Sequence, residues 1–435
     1  GSATFVGLGF HGVIRADGPA VITLTSCTLR NPAGNLVNVK NTAQAVLLGC
    51  DLAESGPKFP AIWAGNGAAV TVTDSRFRDV LSEAVFLTER SALTMTNTQV
   101  LSGLIGVVGA SRAEITRSTL ASATANLISL KENSQVFLEE CDLSVAGPNH
   151  PAVWAEGESS LEISRCSMHD LNSRGLHLTG RSTAHISGLA LTGVGEDAFR
   201  LLEGARATVE HSTLTSITGD AFDIADDCGL WLTDTHISGC PVGVRGKGAT
   251  VDMRGSSVTS GQSGLVLAGV VATVSDTTFT TLEQNAIALS EGTSLTWTGG
   301  VISGCNSGIF ASGASTVTVT GALLHDLRGN GVAGLEGSSV TMASSRVQRA
   351  AMPGVLVDGE GSDLRITASI ITETPEPVCI QVGAVGIIEG SEMSSTGNTA
   401  VLLFAGAAAS ITTSLLTSLE GPLYSSNSAV SLQGC

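Results

Sequence analysis

Residues 161–180 read LEISRCSMHDLNSRGLHLTG and contain both halves of a pattern that recurs along the chain. In the first half, the apolar residue Ile163 is followed, after four intervening positions, by a second apolar residue, Met168. Further pairs with this spacing are Val72 and Phe77, Val209 and Leu214, Leu232 and Ile237, Val319 and Leu324, and Ile366 and Ile371. Such self-similarity at a fixed period is the sequence signature of a repeat architecture.

The second half of the pattern is strand-like. A glycine or alanine is followed by an apolar residue, any residue, and another apolar residue, at residues 175–178, 221–224, 264–267 and 354–357. Alternation with a period of two places successive side chains on opposite faces of a β-strand. We therefore expect Leu176 and Leu178 to point inward and His177 to point outward.

The second apolar residue of each pair, called the anchor below, fixes the length of the repeat. The anchors are Phe10, Leu29, Leu52, Phe77, Val100, Leu120, Leu143, Met168, Leu191, Leu214, Ile237, Val258, Phe279, Ile302, Leu324, Val347, Ile371, Met393 and Leu416. The first and last anchors are 406 residues apart, which gives 22.6 residues for each of 18 steps. A period of 22–23 residues with two or three short strands predicts the coil of a parallel β-helix, and the Leu and Asn pattern of a leucine-rich repeat is missing.

A chain of 435 residues exceeds the size at which a single compact core usually stops growing. A solenoid avoids that limit because each coil packs only on its neighbours. Gly is abundant, at 52 residues, and aromatic residues make up only 4%, so no large aromatic core is expected. We predict one continuous β-helix domain over residues 1–435, excised from a longer protein because the chain starts with Gly1 and Ser2 and breaks off within the coil pattern.

The charge of the chain argues against two classes of partner. The formal net charge is −17 at pH 7, whereas nucleic-acid binding depends on Lys and Arg that neutralise phosphates. Anionic membrane surfaces are disfavoured for the same reason. No run of 18 or more apolar residues is present, so we expect no membrane span.

A longer repeat lies above the coil repeat. The segment GPKFPAIWA at residues 56–64 returns as GPNHPAVWA at residues 147–155, which is 91 residues later. This interval corresponds to four coils, so part of the chain is predicted to have grown by duplication of a four-coil block.

Four of the nine cysteines share one position in the repeat, two residues before an anchor, where other coils carry Ser or Thr. We expect Cys27 to lie over Cys50 and Cys141 over Cys166, as buried free thiols that pack like small apolar groups. No C-x-x-C spacing occurs, so a zinc site is not expected. Unpaired thiols favour a reducing compartment such as the cytoplasm.

Polar residues are concentrated on one predicted face of the middle coils. Aligned coil by coil, the outward positions read Trp63, Phe86, Val108, Trp154, His177, Arg200, Asp223, Arg245, Val266, Ala288, Phe310, Ala333 and Leu356. Just before this column, the middle coils carry Arg174, Asp197 and Asp220. The predicted binding residues are Trp154, Arg174, His177, Arg200, Asp223 and Arg245.

Two other interpretations of this patch stay open. Carboxylates one coil apart would be about 5 Å from each other, as a retaining glycosidase requires, with an Arg or His neighbour as acid, base or substrate clamp. The catalytic residues of such an enzyme would come from Asp197, Asp220, Asp223, His177 and Arg200. The other interpretation is a solvated ladder of ion pairs, Arg200 over Asp223 over Arg245, each contributing about 0–1 kcal/mol.

The repeat, in forms such as residues 175–180 followed by an anchor pair, resembles the right-handed parallel β-helix repeats of the pectate lyase-like superfamily. The resemblance covers nearly the whole chain and implies an all-β fold, a single-stranded right-handed parallel β-helix solenoid of about 19 coils. It does not imply one activity, because the superfamily contains lyases, glycoside hydrolases, epimerases, phage tailspikes and non-catalytic binding domains.

The motifs of the enzymatic members are largely missing. Of the Asn-Thr-Asp, Asp-Asp, Gly-His-Gly and Arg-x-Lys set of polygalacturonase-like enzymes, only Asp226 and Asp227 are present, and the calcium-binding carboxylate cluster of pectate lyases is not evident. The chain looks more like the β-helix modules that bacteria attach to other domains. We therefore predict a non-catalytic recognition or scaffold module that uses no cofactor or metal and binds a protein or polysaccharide partner along its lateral face. The alternative is a polysaccharide lyase, glycoside hydrolase or epimerase.

Overall fold

The computed structural model describes residues 1–435 and consists of β-strands and turns, with no α-helix. The chain divides into two compact units, Gly1–Gly219 and Asp220–Cys435. Each unit is a β-solenoid in which every strand pairs in parallel with the equivalent strand of the neighbouring coil. The predicted all-β solenoid of about 19 coils is confirmed, and the single continuous domain stays a prediction.

The first unit contains three parallel sheets, A, B and C, to which each coil contributes one strand in turn. Sheet A consists of β1 (Ser2–Val6), β4 (Val21–Thr25), β7 (Gln44–Leu48), β10 (Ala69–Thr73), β13 (Ala92–Thr96), β16 (Arg112–Thr116), β19 (Gln135–Glu139), β22 (Ser160–Ser164), β25 (Thr183–Ser187) and β28 (Arg206–Glu210). Sheet B consists of β2 (Gly9–His11), β5 (Thr28–Asn31), β8 (Asp51–Ser55), β11 (Arg76–Arg78), β14 (Gln99–Val100), β17 (Thr119–Ala121), β20 (Asp142–Ser144), β23 (Ser167–Leu171), β26 (Ala190–Val194) and β29 (Thr213–Ile217). Sheet C consists of β3 (Ile14–Asp17), β6 (Val37–Lys40), β9 (Ile62–Gly65), β12 (Glu83–Leu87), β15 (Leu104–Val107), β18 (Ile128–Leu130), β21 (Val153–Ala155), β24 (Leu176–Leu178) and β27 (Phe199–Leu201).

The second unit repeats this arrangement in sheets D, E and F. Sheet D consists of β31 (Gly229–Thr233), β34 (Thr250–Arg254), β37 (Val271–Ser275), β40 (Ser294–Thr298), β43 (Thr316–Thr320), β46 (Ser339–Ala343), β49 (Asp363–Thr367), β52 (Val385–Glu389), β55 (Ala408–Thr412) and β58 (Ala429–Gln433). Sheet E consists of β32 (His236–Ser238), β35 (Ser257–Thr259), β38 (Thr278–Thr280), β41 (Val301–Ser303), β44 (Leu323–Leu327), β47 (Arg346–Ala350), β50 (Ile370–Thr374), β53 (Glu392–Ser395) and β56 (Leu415–Thr417). Sheet F consists of β30 (Phe222–Ile224), β33 (Val242–Lys247), β36 (Ser263–Ala268), β39 (Ile287–Ser290), β42 (Ile309–Ala311), β45 (Val332–Leu335), β48 (Val355–Asp358), β51 (Val378–Gln381), β54 (Thr399–Phe404) and β57 (Gly421–Ser426).

The anchors form one buried row in each unit. They all lie in sheet B or sheet E, and in the first unit Leu52 pairs with Phe77 and Leu191 with Leu214. Phe77, Leu214 and Ile302 are fully buried, whereas Phe10 and Leu416 are half-buried. The spacing read from the sequence is therefore the register of the sheets, and the inward orientation predicted for the anchors is confirmed.

The turn from sheet A to sheet B places one residue of each coil in the left-handed region. In seven coils this residue is not glycine, and its φ lies between 47° and 54°, at Ser26, Asp74, Asn97, Arg117, Glu140, Arg165 and His211. Gly49 occupies the same position with φ 62°. The N–H groups of Gly49 and Arg165 each donate to the next coil, to the carbonyl oxygens of Thr73 and Ser187, at 2.9 Å in both cases. Hydrogen bonds between coils therefore hold these turns in place.

In eight of the ten coils of the first unit the residue after this turn is a buried Cys, Ser or Thr, as the four cysteines predicted, and Leu8 and Leu189 occupy the other two coils. Cys27, Cys50, Cys141 and Cys166 are 1–3% exposed, and no disulfide links them. Cys141 lies directly over Cys166, because the N–H of Cys141 donates to Cys166 Sγ at 3.3 Å. The predicted stacking and burial of the thiols are confirmed.

The outward column of sheet C corrects one sequence-based assignment. In register, this column reads Arg15, Asn38, Trp63, Phe86, Gly106, Ser129, Trp154, His177 and Arg200. Gly106 therefore takes the place predicted for Val108, because Ile105 and Val107 are the fully buried inward residues of that coil. The pairing of β12 with β15 also shifts register after Glu83, so this short coil does not follow the general spacing.

Candidate functional site

The strands β21, β24 and β27 bring three predicted site residues side by side on the outer face of sheet C. Each strand has two fully buried apolar residues that flank one outward residue, in the order VWA, LHL and FRL. Trp154 pairs with His177, and His177 with Arg200. The alternation seen in the sequence is therefore sufficient to form this row.

Trp154 and His177 form a stacked pair of rings. Their ring centroids are 4.4 Å apart and their planes are inclined by 20°. The indole Nε1 of Trp154 donates to Oε2 of Glu156 at 3.0 Å, and Nζ of Lys131 lies 2.8 Å from Oε1 of the same carboxylate. Trp154 is therefore held in a single orientation by both the ring stack and the hydrogen bond.

His177 faces outward as predicted, but its neighbours cover it. Only 9% of the residue is exposed, and its Nδ1 is buried with no hydrogen-bond partner. Burial, followed by the positive charges of Arg174 and Arg200, lowers the pKa of His177 to about 4. The imidazole is therefore neutral at pH 7, and its role in the patch is that of an aromatic and polar surface rather than of a charge.

Arg174 lies at the edge of the same row and is occupied by two carboxylates. Its Nη2 is 2.6 Å from Oε2 of Glu196, and its Nε is 3.6 Å from Oδ2 of Asp197. The hydroxyl of Ser173, the preceding residue, is buried without a partner. Asp197 is consequently half of an ion pair in this structure, as well as one of the predicted catalytic candidates.

The remaining predicted residues, Asp220, Asp223 and Arg245, belong to the second unit. Asp223 on β30 pairs in register with Arg245 on β33, as the aligned column predicted. The ion pair that Arg245 makes is to Asp220, however, through its Nε and the carboxylate Oδ2. The predicted ladder did not include this ion pair, because Asp220 precedes the strand and lies outside the outward column. The step from Arg200 to Asp223 stays a prediction.

Sequence reasoning missed Glu156 and Lys131, which orient the indole of Trp154. Burial by itself would raise the pKa of Glu156, but the hydrogen bonds from Lys131 and Trp154 outweigh it, so this pKa is lowered. The sequence contained a signal that could have identified them, because both residues lie two positions after a residue of the outward column. A period of two places them on the same face as Ser129 and Trp154.

Residues 1–435 contain no group of three or more His, Cys, Asp or Glu side chains that could hold a metal ion. None of the described elements is a helix long and apolar enough to cross a membrane.

A family model described as "Right handed beta helix region" matches residues 102–245 and 242–400. No curated protein matches the sequence. Among solved structures, the periplasmic alginate epimerase AlgG is 13% identical, covers 79% of this chain and 77% of its own, and has a TM-score of 0.31. The A-module of the Azotobacter vinelandii mannuronan C-5 epimerase AlgE4 is 13% identical, and the match covers 85% of this chain and 90% of the AlgE4 chain with a TM-score of 0.24. The alginate lyase AlyGC of family PL6 is 7% identical, and the match covers 100% of this chain and 96% of the AlyGC chain with a TM-score of 0.25.

Proposed function

The chain belongs to the family of right-handed β-helix regions, and from that premise we propose that it binds a polysaccharide along the outer face of sheet C. The observation that carries the proposal is the half-buried indole of Trp154, which its stack with the buried ring of His177 holds on the outer face of a rigid sheet. Aromatic faces accept the C–H groups of a pyranose ring, and a few convergent polar groups then fix its orientation.

The polar groups that a sugar needs surround the pair. Glu156 and Lys131 lie beside Trp154, Arg174 lies one coil further along, and Glu196 lies in the coil after that. Carboxylates accept hydrogen bonds from hydroxyl groups, and guanidinium and ammonium groups donate to them. Because these side chains are already paired with one another, little side-chain entropy is lost when a ligand binds.

The proposal is tested by affinity electrophoresis of the wild-type chain in gels that contain xylan, glucomannan, β-glucan or polymannuronate. We expect at least one polymer to retard the wild type, and Trp154→Ala to weaken that interaction about tenfold or more, the size of a central aromatic contact. Trp231→Ala is the matched control, because Trp231 lies on β31 of sheet D and is half-buried like Trp154. Retardation by none of the polymers, or equal retardation of Trp154→Ala, would contradict the proposal.

An enzyme acting on the same class of polymer is the second candidate, and one observation favours it. The neutral imidazole of His177 has an unpartnered Nδ1, which could accept a proton from a substrate only if the side chains that bury it moved aside. Its pKa of about 4 makes it a weak base at neutral pH, since catalytic bases work best when their pKa lies near the working pH. For this reason binding is the first proposal.

Turnover separates the two candidates. An enzyme would release unsaturated products, reducing ends or epimerised residues from one of the polymers, with or without calcium. Replacement of His177 by Gln, or Asp197→Asn, Asp220→Asn or Asp223→Asn, would then abolish turnover while binding is retained. If the wild type shows turnover and any of these variants loses it, the chain is an enzyme and the proposal of a non-catalytic binding module is wrong.

A further inference from the structure

Two more aromatic rings lie on the outer face of sheet C, each over a glycine. Trp63 bends along its own strand, and a Cβ atom on Gly65 would collide with the indole Cη2. Phe86 leans toward the next coil, where a Cβ atom on Gly106 would lie 2.7 Å from the ring Cδ2. The missing side chains at these two glycines therefore allow both rings to lie against the backbone.

The two rings line an open groove with a volume of about 400 Å³. Phe59, which is 44% exposed, adds a third aromatic ring. Asn38, Lys40 and Glu83 supply polar groups around them, and the Lys40 ammonium lies 5.0 Å from the centroid of the Trp63 ring. Aromatic walls with a few polar groups are the composition of a small-molecule or sugar site.

The four-coil duplication relates this groove to the pair at Trp154. Trp63 and Trp154 are equivalent in the 91-residue repeat, and the residues that pair with them in the next coil, Phe86 and His177, are 91 residues apart as well. Each site therefore consists of a tryptophan and a ring from the following coil. Between the two sites, the column carries only the small residues Gly106 and Ser129.

We propose that the Trp63–Phe86 groove is a second sugar subsite, which binds pyranose rings of the same polymer chain that contacts Trp154 and His177. This inference rests on the proposed function. The two tryptophans are four strands apart in sheet C, a distance of about 19 Å at the spacing of neighbouring strands. A polymer that runs along the sheet and advances by about 5 Å per sugar, close to the strand spacing, spans both subsites with four to five units.

The substrate class that fits both subsites is a neutral, β-linked polysaccharide whose rings carry mainly equatorial hydroxyls. Such rings have flat C–H faces that match Trp63 and Phe86. A polyanion would be repelled by the net charge of −17. Within the groove, Glu83 offsets only one of the two lysines, Lys40 and Lys58, so the preference for a neutral polymer rests on the net charge of the whole chain.

The experiment compares β-1,4-linked xylo-, manno- and gluco-oligosaccharides of three and six units, with polymannuronate as the charged polymer, in titration calorimetry. We expect six units to bind the wild type about tenfold or more tightly than three, because only the longer chain engages both subsites. In Trp63→Ala and in Gly65→Ala this gain in affinity with length should disappear. Gly65→Ala keeps the indole but tilts it away from the strand, so it tests the orientation of the ring.

Gly229→Ala is the matched control, because Gly229 lies under Trp231 on sheet D in the same way, and we expect it to leave the gain with length intact. If the six-unit sugars bind and the gain survives in Trp63→Ala, the second subsite is wrong while the proposed function stands. If no oligosaccharide and no polymer binds the wild type, both proposals fail. Tighter binding of polymannuronate than of every neutral sugar overturns the neutral substrate class. Circular dichroism of each variant confirms that the fold is kept.

Discussion

His177 shows how a residue on the outer face of a solenoid becomes buried. A histidine at an outward position would ordinarily keep most of its ring in water, and its pKa would stay near the usual 6.5. Here Trp154 covers one face of the ring, while Arg174 and Arg200 add positive charge nearby. The protonated form is therefore disfavoured in the folded chain, which makes this residue a probe of the local packing.

We predict that His177 makes stability depend on pH between about 6.5 and about 4. In the unfolded chain the imidazole binds a proton below about 6.5, whereas in the folded chain its pKa is about 4. Because the unfolded state binds more protons in this window, the free energy of unfolding falls as the pH falls, on the order of 2 kcal/mol by pH 4.5. Urea unfolding of the wild type and His177→Gln at pH 7 and pH 4.5 measures this difference.

The variant serves as the control in that comparison, since glutamine does not titrate and all other groups are shared. The wild type should lose more stability than His177→Gln on acidification. An equal loss in the two proteins would show that the imidazole is solvated, and that the ring stack does not form.

For single residues, the sequence predicted on which face of a strand a side chain lies, but not how deeply its neighbours bury it. Period-two alternation placed His177 and Arg200 in the outward column, and the register confirms it. Burial of the imidazole could not be predicted, because it depends on the orientation of Trp154 one coil away. That orientation is fixed in turn by Glu156 and Lys131, and by no pattern within a single strand.

The shared position of the four cysteines in the repeat predicted the residue that follows the turn between sheets A and B. Buried Cys, Ser and Thr residues share the place after the turn in eight coils of the first unit. Ser75, for example, accepts a hydrogen bond from the N–H of Cys50 at 3.0 Å and donates to the carbonyl oxygen of Thr73 at 2.8 Å. Thiols in this place are part of the core and are shielded from solvent.

We predict that Cys435 is the only thiol that reacts quickly with a bulky maleimide under native conditions. It is exposed, whereas all other cysteines are buried. Burial also raises the pKa of Cys240 and of Cys379 to about 11, which keeps both thiols protonated at neutral pH. Mass spectrometry after brief labelling should show one adduct per chain, and none in Cys435→Ser. Rapid modification of Cys27, Cys50, Cys141 or Cys166 would contradict the stacked register.

The pairing of strands also explains why the assignment of Val108 to the outward column of sheet C was wrong. Val108 was placed by its fit to the general spacing, but the coil that contains it is shorter than its neighbours. The register shift after Glu83 and the inward residues Ile105 and Val107 decide which residue faces out. A local irregularity of this kind arises from the pairing of two coils, so one coil read by itself does not contain it.

For the molecule as a whole, stability is expected to be close to a sum over coils and their contacts. The anchors measure this directly, because each belongs to one coil and packs on two others. Their positions followed from the sequence, since a row of buried apolar residues at a fixed interval is the strongest signal in a solenoid. The division into two compact units could not be predicted, because no change of composition marks residue 219.

We predict that Leu214→Asp and Leu416→Asp differ strongly in cost. Leu214 is fully buried, so the aspartate would place an unpaired charge in the core and cost roughly 3–5 kcal/mol. Leu416 is half-buried, so water can still reach a charge there and the loss should be much smaller. Chemical denaturation followed by circular dichroism measures both, with Leu214→Ala and Leu416→Ala separating lost packing from added charge. Equal losses would argue against stability that is local to each coil.

The left-handed turns carry a consequence for how such a chain changes over generations. At this place a residue other than glycine costs about 1–2 kcal/mol in backbone strain, while glycine gives up about 0.5–1 kcal/mol through its greater freedom in the unfolded chain. The two penalties partly offset each other, leaving a difference of about 0–1.5 kcal/mol, and the hydrogen bond to the next coil is the same length for Gly49 and for Arg165. Exchanges between such residues should therefore change stability by about 1 kcal/mol, less than the roughly 3–5 kcal/mol expected for a charge at a buried anchor, so we expect more sequence variation at the corners than in the anchor row. We therefore expect shared descent among chains of this fold to be easier to recognise from the residues of the buried rows than from the residues of the turns.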